Sequence, residues 1–224
     1  MSVRGRIVEG GWVPMGERRV RKTLRQMASG EPVRVVSAMG SMKKLARLAF
    51  FARQFGYEYA DVRQGGGAQG KGLVMLLVPD PGPAARERAA RNRARYPRAA
   101  DGGELPRPVP EEIELLKARI GYDLATRYTE KQRVALSGGA FTVLALAVAV
   151  KVGAHTTGLV VVGTVWAALM ALLPVGVIAN RRYREKQTAV LRAAGLTPVT
   201  EPGGRVRYVP PGGRLPGHGD PLAG

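Results

Sequence analysis

The chain contains no cysteine. Disulfides, thiolate nucleophiles and zinc–thiolate centres are therefore excluded. It has only two histidines, His155 and His218, too few for a metal site built on several imidazoles. Acidic residues are scarce: Asp and Glu number 17 against 35 Lys and Arg, a formal net charge of +18. Such an excess says nothing about fold. It predicts attraction to polyanions: nucleic acid, anionic lipid or acidic proteins. The opening MSVRGRIVEGGWVPMGERRVRK lacks the apolar stretch of about 7–15 residues that a signal peptide requires, so the N-terminus is expected to stay in the cytoplasm.

Charge is itself missing from two long runs. Residues 134–150 read VALSGGAFTVLALAVAV and residues 159–179 read LVVVGTVWAALMALLPVGVIA. About 20 apolar residues, rising ~1.5 Å each, cross a hydrocarbon core of ~30 Å. The second run meets this length; the first is slightly short, with Lys151 placed to snorkel from its end. A single helix through both runs would be about 70 Å long, so Gly153 to Gly158 must supply a turn. The expectation is a transmembrane hairpin over 134–179, with spans 134–151 and 159–179. Soluble core helices rarely run this far without a charge, which disfavours a buried helix pair.

Lys131 and Arg133 precede the first run, and Arg181, Arg182, Arg184 and Lys186 follow the second. The connecting loop carries only Lys151 and His155. This asymmetry predicts both termini on the cytoplasmic side of the cell inner membrane. Tyr128 and Tyr183 sit where interfacial aromatics are expected. Gly163, Ala167 and Ala171 form one small-residue stripe, and Ala145 and Ala149 a shorter one. Such stripes let helices approach closely, first within the hairpin and second between copies. Pro174 is a site for a kink. No acidic residue lies in either run, which weighs against a proton relay or cation carrier.

The flanking regions read as small folded pieces. Residues 1–30 form a basic segment with a short helix from Arg18 to Ala28. Residues 31–79 form a β-α-β-β unit: strand Val33 to Ser37, helix Ser41 to Phe55, then strands Tyr57 to Arg63 and Leu73 to Val78. The two last strands flank GGGAQGKG, residues 65–72, one hydroxyl short of a phosphate-binding loop. Such a loop must lead into a helix whose amides hold the anion. Here the loop leads into LVMLLVPDPGP, too short and proline-rich for that helix, so a β-hairpin with a solvated Lys71 is expected.

Residues 80–110 read as a basic linker rich in Pro and Gly, with a helical stretch in PAARERAARNRARY. Arg86, Arg88, Arg91, Arg93 and Arg95, with Lys43, Lys44 and Arg47 on the earlier helix, are the candidate contacts to an anionic surface. Proximity to a membrane favours lipid headgroups, and no RNA-binding aromatic signature accompanies the arginines. Residues 111–133 form a juxtamembrane amphipathic helix with Ile113, Leu116, Ile120, Leu124 and Tyr128 in one stripe, expected to pack on the chain's own C-terminal extension. That extension, residues 180–210, reads helix, Gly195, strand, Gly-Gly turn, strand; residues 211–224 read as a disordered tail.

The fold class is thus an α+β membrane protein. We find no catalytic, cofactor-binding or metal-binding constellation in the sequence, and expect a non-catalytic anchor, scaffold or adaptor. Its expected partners are the lipid bilayer, anionic headgroups, and a second copy or a cytoplasmic protein. A membrane-tethered nucleic-acid or nucleotide-binding protein is the alternative. A small oligomeric pore is the third reading, disfavoured because neither span carries a polar stripe.

Overall fold

The computed structural model describes residues 15–38, 40–65, 72–153 and 155–211. They form a mixed α+β protein with six α-helices and two small antiparallel sheets. The chain divides into two compact units, one holding the residues up to Leu116 and the other beginning at Lys117.

In the first unit, α1 (Met15–Met27) buries Val20, Thr23, Leu24 and Met27 and exposes Arg18, Arg19, Lys22 and Arg25. Apolar positions three and four apart let an arginine-rich segment fold as a helix against a core. β1 (Val33–Ser37) alternates buried and exposed residues. α2 (Met42–Gln54) starts at Ser41, whose hydroxyl accepts from the Lys44 amide at 3.4 Å. It stops at Gly56, whose φ of +89° lies in the left-handed region that glycine adopts without strain. β2 (Tyr57–Gln64) and β3 (Leu73–Pro79) come next.

The sheet order is β1-β3-β2, with both outer strands antiparallel to β3. β1 and β2 therefore run parallel to each other with β3 between them, the split β-α-β arrangement. Val35 faces Met75, Tyr59 faces Leu77 and Asp61 faces Leu76, a register shift that leaves Ala60 as the extra residue of a bulge. Leu45, Phe50, Phe51, Tyr59, Val62, Met75 and Leu77 are fully buried and make the core.

The glycine loop closes a hairpin. Gln64 pairs with Leu73, and the Gly65 amide donates to the Gly72 carbonyl at 2.9 Å. Gly72 leads into strand β3, so the strand-to-helix geometry of a phosphate loop is missing at this point. Residues 66–71, with Lys71, lie outside the described residues, as do residues 1–14 of the basic N-terminal segment and residues 212–224 of the tail.

The helical stretch expected within the linker is α3 (Pro83–Arg95), and it is packed rather than solvated on all sides. Its buried face consists only of Ala85 and Ala89, small enough to escape an apolar-stripe reading. Ala89 fits because residue 56 has no side chain: a Cβ there would stand 3.0 Å from the Ala89 Cβ.

α4 (Pro110–Thr126) leads into the second unit, which continues with α5 (Glu130–Val152) and α6 (Thr156–Ala193). The chain bends between α4 and α5 because Thr129 opens a new helix with a capping box: its hydroxyl accepts from the Gln132 amide at 3.2 Å, and the Gln132 side chain accepts from the Thr129 amide at 3.0 Å. α5 and α6 lie antiparallel, since Glu130 meets Arg181, Thr142 meets Trp166, and Gly138 lies beside Met170 and Leu173. Gly153, at φ +71°, begins the turn. α6 runs unbroken through Pro174 for 38 residues, about 57 Å at ~1.5 Å per residue. β4 (Thr197–Thr200) and β5 (Val206–Val209) pair antiparallel, Thr197 with Val209. Tyr122 of α4 meets Tyr208 of β5 edge-on, ring centres 5.0 Å apart.

Candidate membrane interface

Two helices, α5 and α6, are long and apolar enough to cross a membrane, and no residue of their apolar windows is buried within the chain. Val143 is 68% exposed, Leu146 62% and Val175 58%. Monomeric soluble proteins rarely leave contiguous apolar surface of this kind in water.

The two helices touch along one seam. On α5 the half-buried residues include Gly138, Thr142, Ala145 and Ala149; on α6 they include Val162, Met170, Leu173, Val177 and Asn180. Small residues on one helix thus receive large ones from the other. The Thr142 hydroxyl accepts from the Trp166 indole nitrogen at 3.2 Å and donates to the Gly138 carbonyl at 2.9 Å, satisfying both polar side chains. Ala145 and Ala149 are half-buried. Gly163, Ala167 and Ala171 are not: all three are exposed, and a Cβ at Gly163 would meet nothing within 4 Å. The second stripe therefore plays no part in packing the hairpin on itself. A stripe fixes a face of a helix but not which side the partner occupies.

One end of the hairpin is ringed by charge. The Glu130 carboxylate accepts two bonds from Arg181, at 2.6 and 2.8 Å, and stands 3.9 Å from Arg184. Arg133 donates to the Asn180 side chain at 3.1 Å and to the Ala125 carbonyl at 2.8 Å. Lys131, Arg182 and Lys186 are exposed. Lys151, in the last turn of α5 at the opposite end, is exposed as well.

Beyond this collar the end of α4 is tied to the terminal hairpin by buried charge. Asp123, 1% exposed, accepts from Arg207 at 2.9 Å and lies 3.9 Å from Arg205; Arg207 also pairs with Glu201 at 3.2 Å. Arg205 donates to the Asp123 backbone carbonyl at 2.8 Å. Sequence reading missed this cluster. Its signal was an aspartate three residues after Ile120 on an otherwise apolar helix face. Burial, and secondarily the neighbouring Tyr208, raises the Tyr122 phenol above its ordinary value.

The candidate anionic-surface residues divide into two sets. Arg88 donates to the Arg53 carbonyl at 2.9 Å and Arg93 to the Phe55 carbonyl at 3.4 Å, while Asn92 donates to the Gln54 carbonyl at 2.8 Å. Three side chains of α3 thus satisfy the last carbonyls of α2, the groups a helix end leaves without partners. Burial and the nearby Arg53 guanidinium lower the Arg88 pKa from its usual value. Arg47 lies over the Phe51 ring at 5.7 Å. Lys43, Lys44, Arg86, Arg91 and Arg95 remain exposed, with Arg91 3.7 Å from Glu87 and Arg95 over Tyr96 at 5.7 Å.

A cavity of about 150 Å³ in the first unit is lined by Leu24, Met27, Phe55 and Tyr96, with Arg93 at its wall. Among the described residues no group of three His, Cys, Asp or Glu side chains is gathered to hold a metal ion. Comparison of the chain with protein families, with curated proteins and with solved structures found no match.

Proposed function

We propose that this chain is an integral protein of the cytoplasmic membrane, a non-catalytic anchor or scaffold whose α5–α6 hairpin crosses the bilayer twice. The observation that carries this reading is the exposure of both apolar windows. Lipid is the solvent in which that surface has the lowest free energy, at ~25 cal/mol per Å² relative to water. The backbone groups within such helices are satisfied internally, as a hydrocarbon environment demands. The collar of Lys131, Arg133, Arg181, Arg182, Arg184 and Lys186 supports an orientation with both termini in the cytoplasm. The α1–α3 and β1–β3 region and the β4–β5 pair then belong to the cytoplasmic side as the parts available to partners.

The test has two arms. Carbonate washing of membranes should leave the chain in the pellet; quantitative release refutes membrane insertion. A cysteine replacing Thr156 should react with an impermeant thiol reagent in intact cells, and one replacing Ser29 should react only after lysis. The native chain has no cysteine, so the background is clean. The reverse labelling pattern places the basic units outside and removes the scaffold reading.

A further inference from the structure

We infer that the outer face of α6 at the membrane border is a site for an anionic phospholipid headgroup, held by Arg182 and Lys186. This rests on the membrane-spanning reading of the hairpin and names a partner for it. The basic collar is not uniform. On the side of α6 that faces α5, Glu130 neutralises Arg181 and Arg184, and Asn180 engages Arg133. Helical spacing of 100° per residue puts Arg182 and Lys186 on the opposite side, in line with Val175 and Ile178. Both basic side chains are exposed and make no ion pair among the described residues. Glu185, on the same turn, is exposed and engages neither.

Like charges four residues apart on a helix repel one another. An anion bridging them removes that repulsion. Directly toward the apolar run stand Val175 and Ile178, 58% and 52% exposed, a surface for acyl chain immediately below the two cations. A phosphate at the level of residues 182–186 with its hydrocarbon along residues 175–178 matches both chemistries in their order along the helix. Soluble phosphate or nucleic acid would match only the first. The arginines of α3 fit less well, since Arg88 and Arg93 are engaged by the end of α2.

The probe is phosphatidylglycerol against phosphatidylcholine, and the full chain is used in detergent with both lipids added in equal amount. Native mass spectrometry counts the lipids retained. Wild type should retain phosphatidylglycerol preferentially. Arg182→Gln and Lys186→Gln should each weaken that preference about fivefold, the equivalent of ~1 kcal/mol per basic residue, and together roughly 25-fold. Arg182→Lys should keep it. Arg192→Gln, which removes a charge further along the helix, should leave it unchanged. Equal retention of the two lipids by wild type overturns the inference, and so does a double variant that behaves like wild type. An equal loss in Arg192→Gln overturns it too, because net charge alone would then explain the effect. Inorganic phosphate competing as well as the lipid also overturns it, because a soluble anion would then fit the site as fully as a phospholipid. If the chain stays in carbonate-washed membranes while any of these occurs, the headgroup site falls and the membrane reading stands; release by carbonate removes both.

Discussion

Replacing Asp123 by Ala should undock the terminal hairpin from α4. The carboxylate is 1% exposed and receives the Arg207 guanidinium, itself 5% exposed, at 2.9 Å. Removing one member of a buried pair costs ~3–5 kcal/mol, because the remaining charge stays buried without its counterion. Arg207 keeps Glu201 at 3.2 Å, a partner 28% exposed, so the lower end applies, about 3 kcal/mol. At ~1.4 kcal/mol per decade this raises the open population roughly a hundredfold. Tyr208 lies beside Arg207 and is 2% exposed, so cleavage after it by chymotrypsin reports opening. The rate of that cleavage in the detergent-solubilised full chain should rise by the same factor. Asp123→Leu combined with Arg207→Met should recover most of the protection, since an apolar pair of similar volume replaces the ion pair at little cost. An unchanged cleavage rate in Asp123→Ala would refute the claim that this pair holds the hairpin.

Gly121→Ala should destabilise the α4–α6 contact by about 1–3 kcal/mol, because its Cβ would overlap the Tyr183 hydroxyl; adding Tyr183→Phe should restore most of the thermal stability, since the ring carbon beneath is 3.4 Å away. The Tyr57 hydroxyl donates to the Met27 carbonyl at 2.8 Å, and burial, ahead of the opposing Arg93 charge, raises its pKa. The folded state therefore holds this proton longer than the unfolded state. Its contribution to stability is full below the unfolded value of ~10 and is lost as pH rises through the folded value. Denaturant midpoints measured above pH ~10 should fall less steeply in Tyr57→Phe than in wild type, and parallel curves would count against the linkage.

The β-α-β-β order was legible because each element carries its own period: alternation in VRVVS, a three-and-four spacing of Leu45, Leu48, Ala49 and Ala52, and a glycine at 56 to end the helix. GGGAQGKG is readable as a hairpin loop only through the apolar segment after it, and β3 indeed begins at Leu73. The capping box at Thr129 and Gln132 is equally present in the sequence, yet apolar periodicity alone runs α4 straight into α5 and leaves the bend open. The helical stretch of α3 is readable, but its packing is hidden for a physical reason. Its buried side chains are alanines, which alternate with arginines without an apolar contrast, and its arginines serve the carbonyls of another helix. Intrahelical periodicity cannot reveal a partner that lies elsewhere in the chain. The same holds for Asp123 and Arg207, separated by 84 residues and informative only as a pair.

The length of α6 carries a mechanical consequence. Its apolar run, residues 159–179, accounts for about 31 Å, and the 14 residues from Asn180 to Ala193 extend the same rod by about 20 Å. Nothing within that extension marks a hinge, and the β4–β5 pair is joined directly to its far end. On the membrane reading the helix is a lever with its fulcrum at the headgroups. A change in tilt of about 10°, well within the range helices adopt as bilayer thickness varies, would sweep the far end by roughly 3–4 Å. Bilayer thickness and tension would thereby become positional inputs to the terminal hairpin, transmitted without any ligand and without a change in secondary structure.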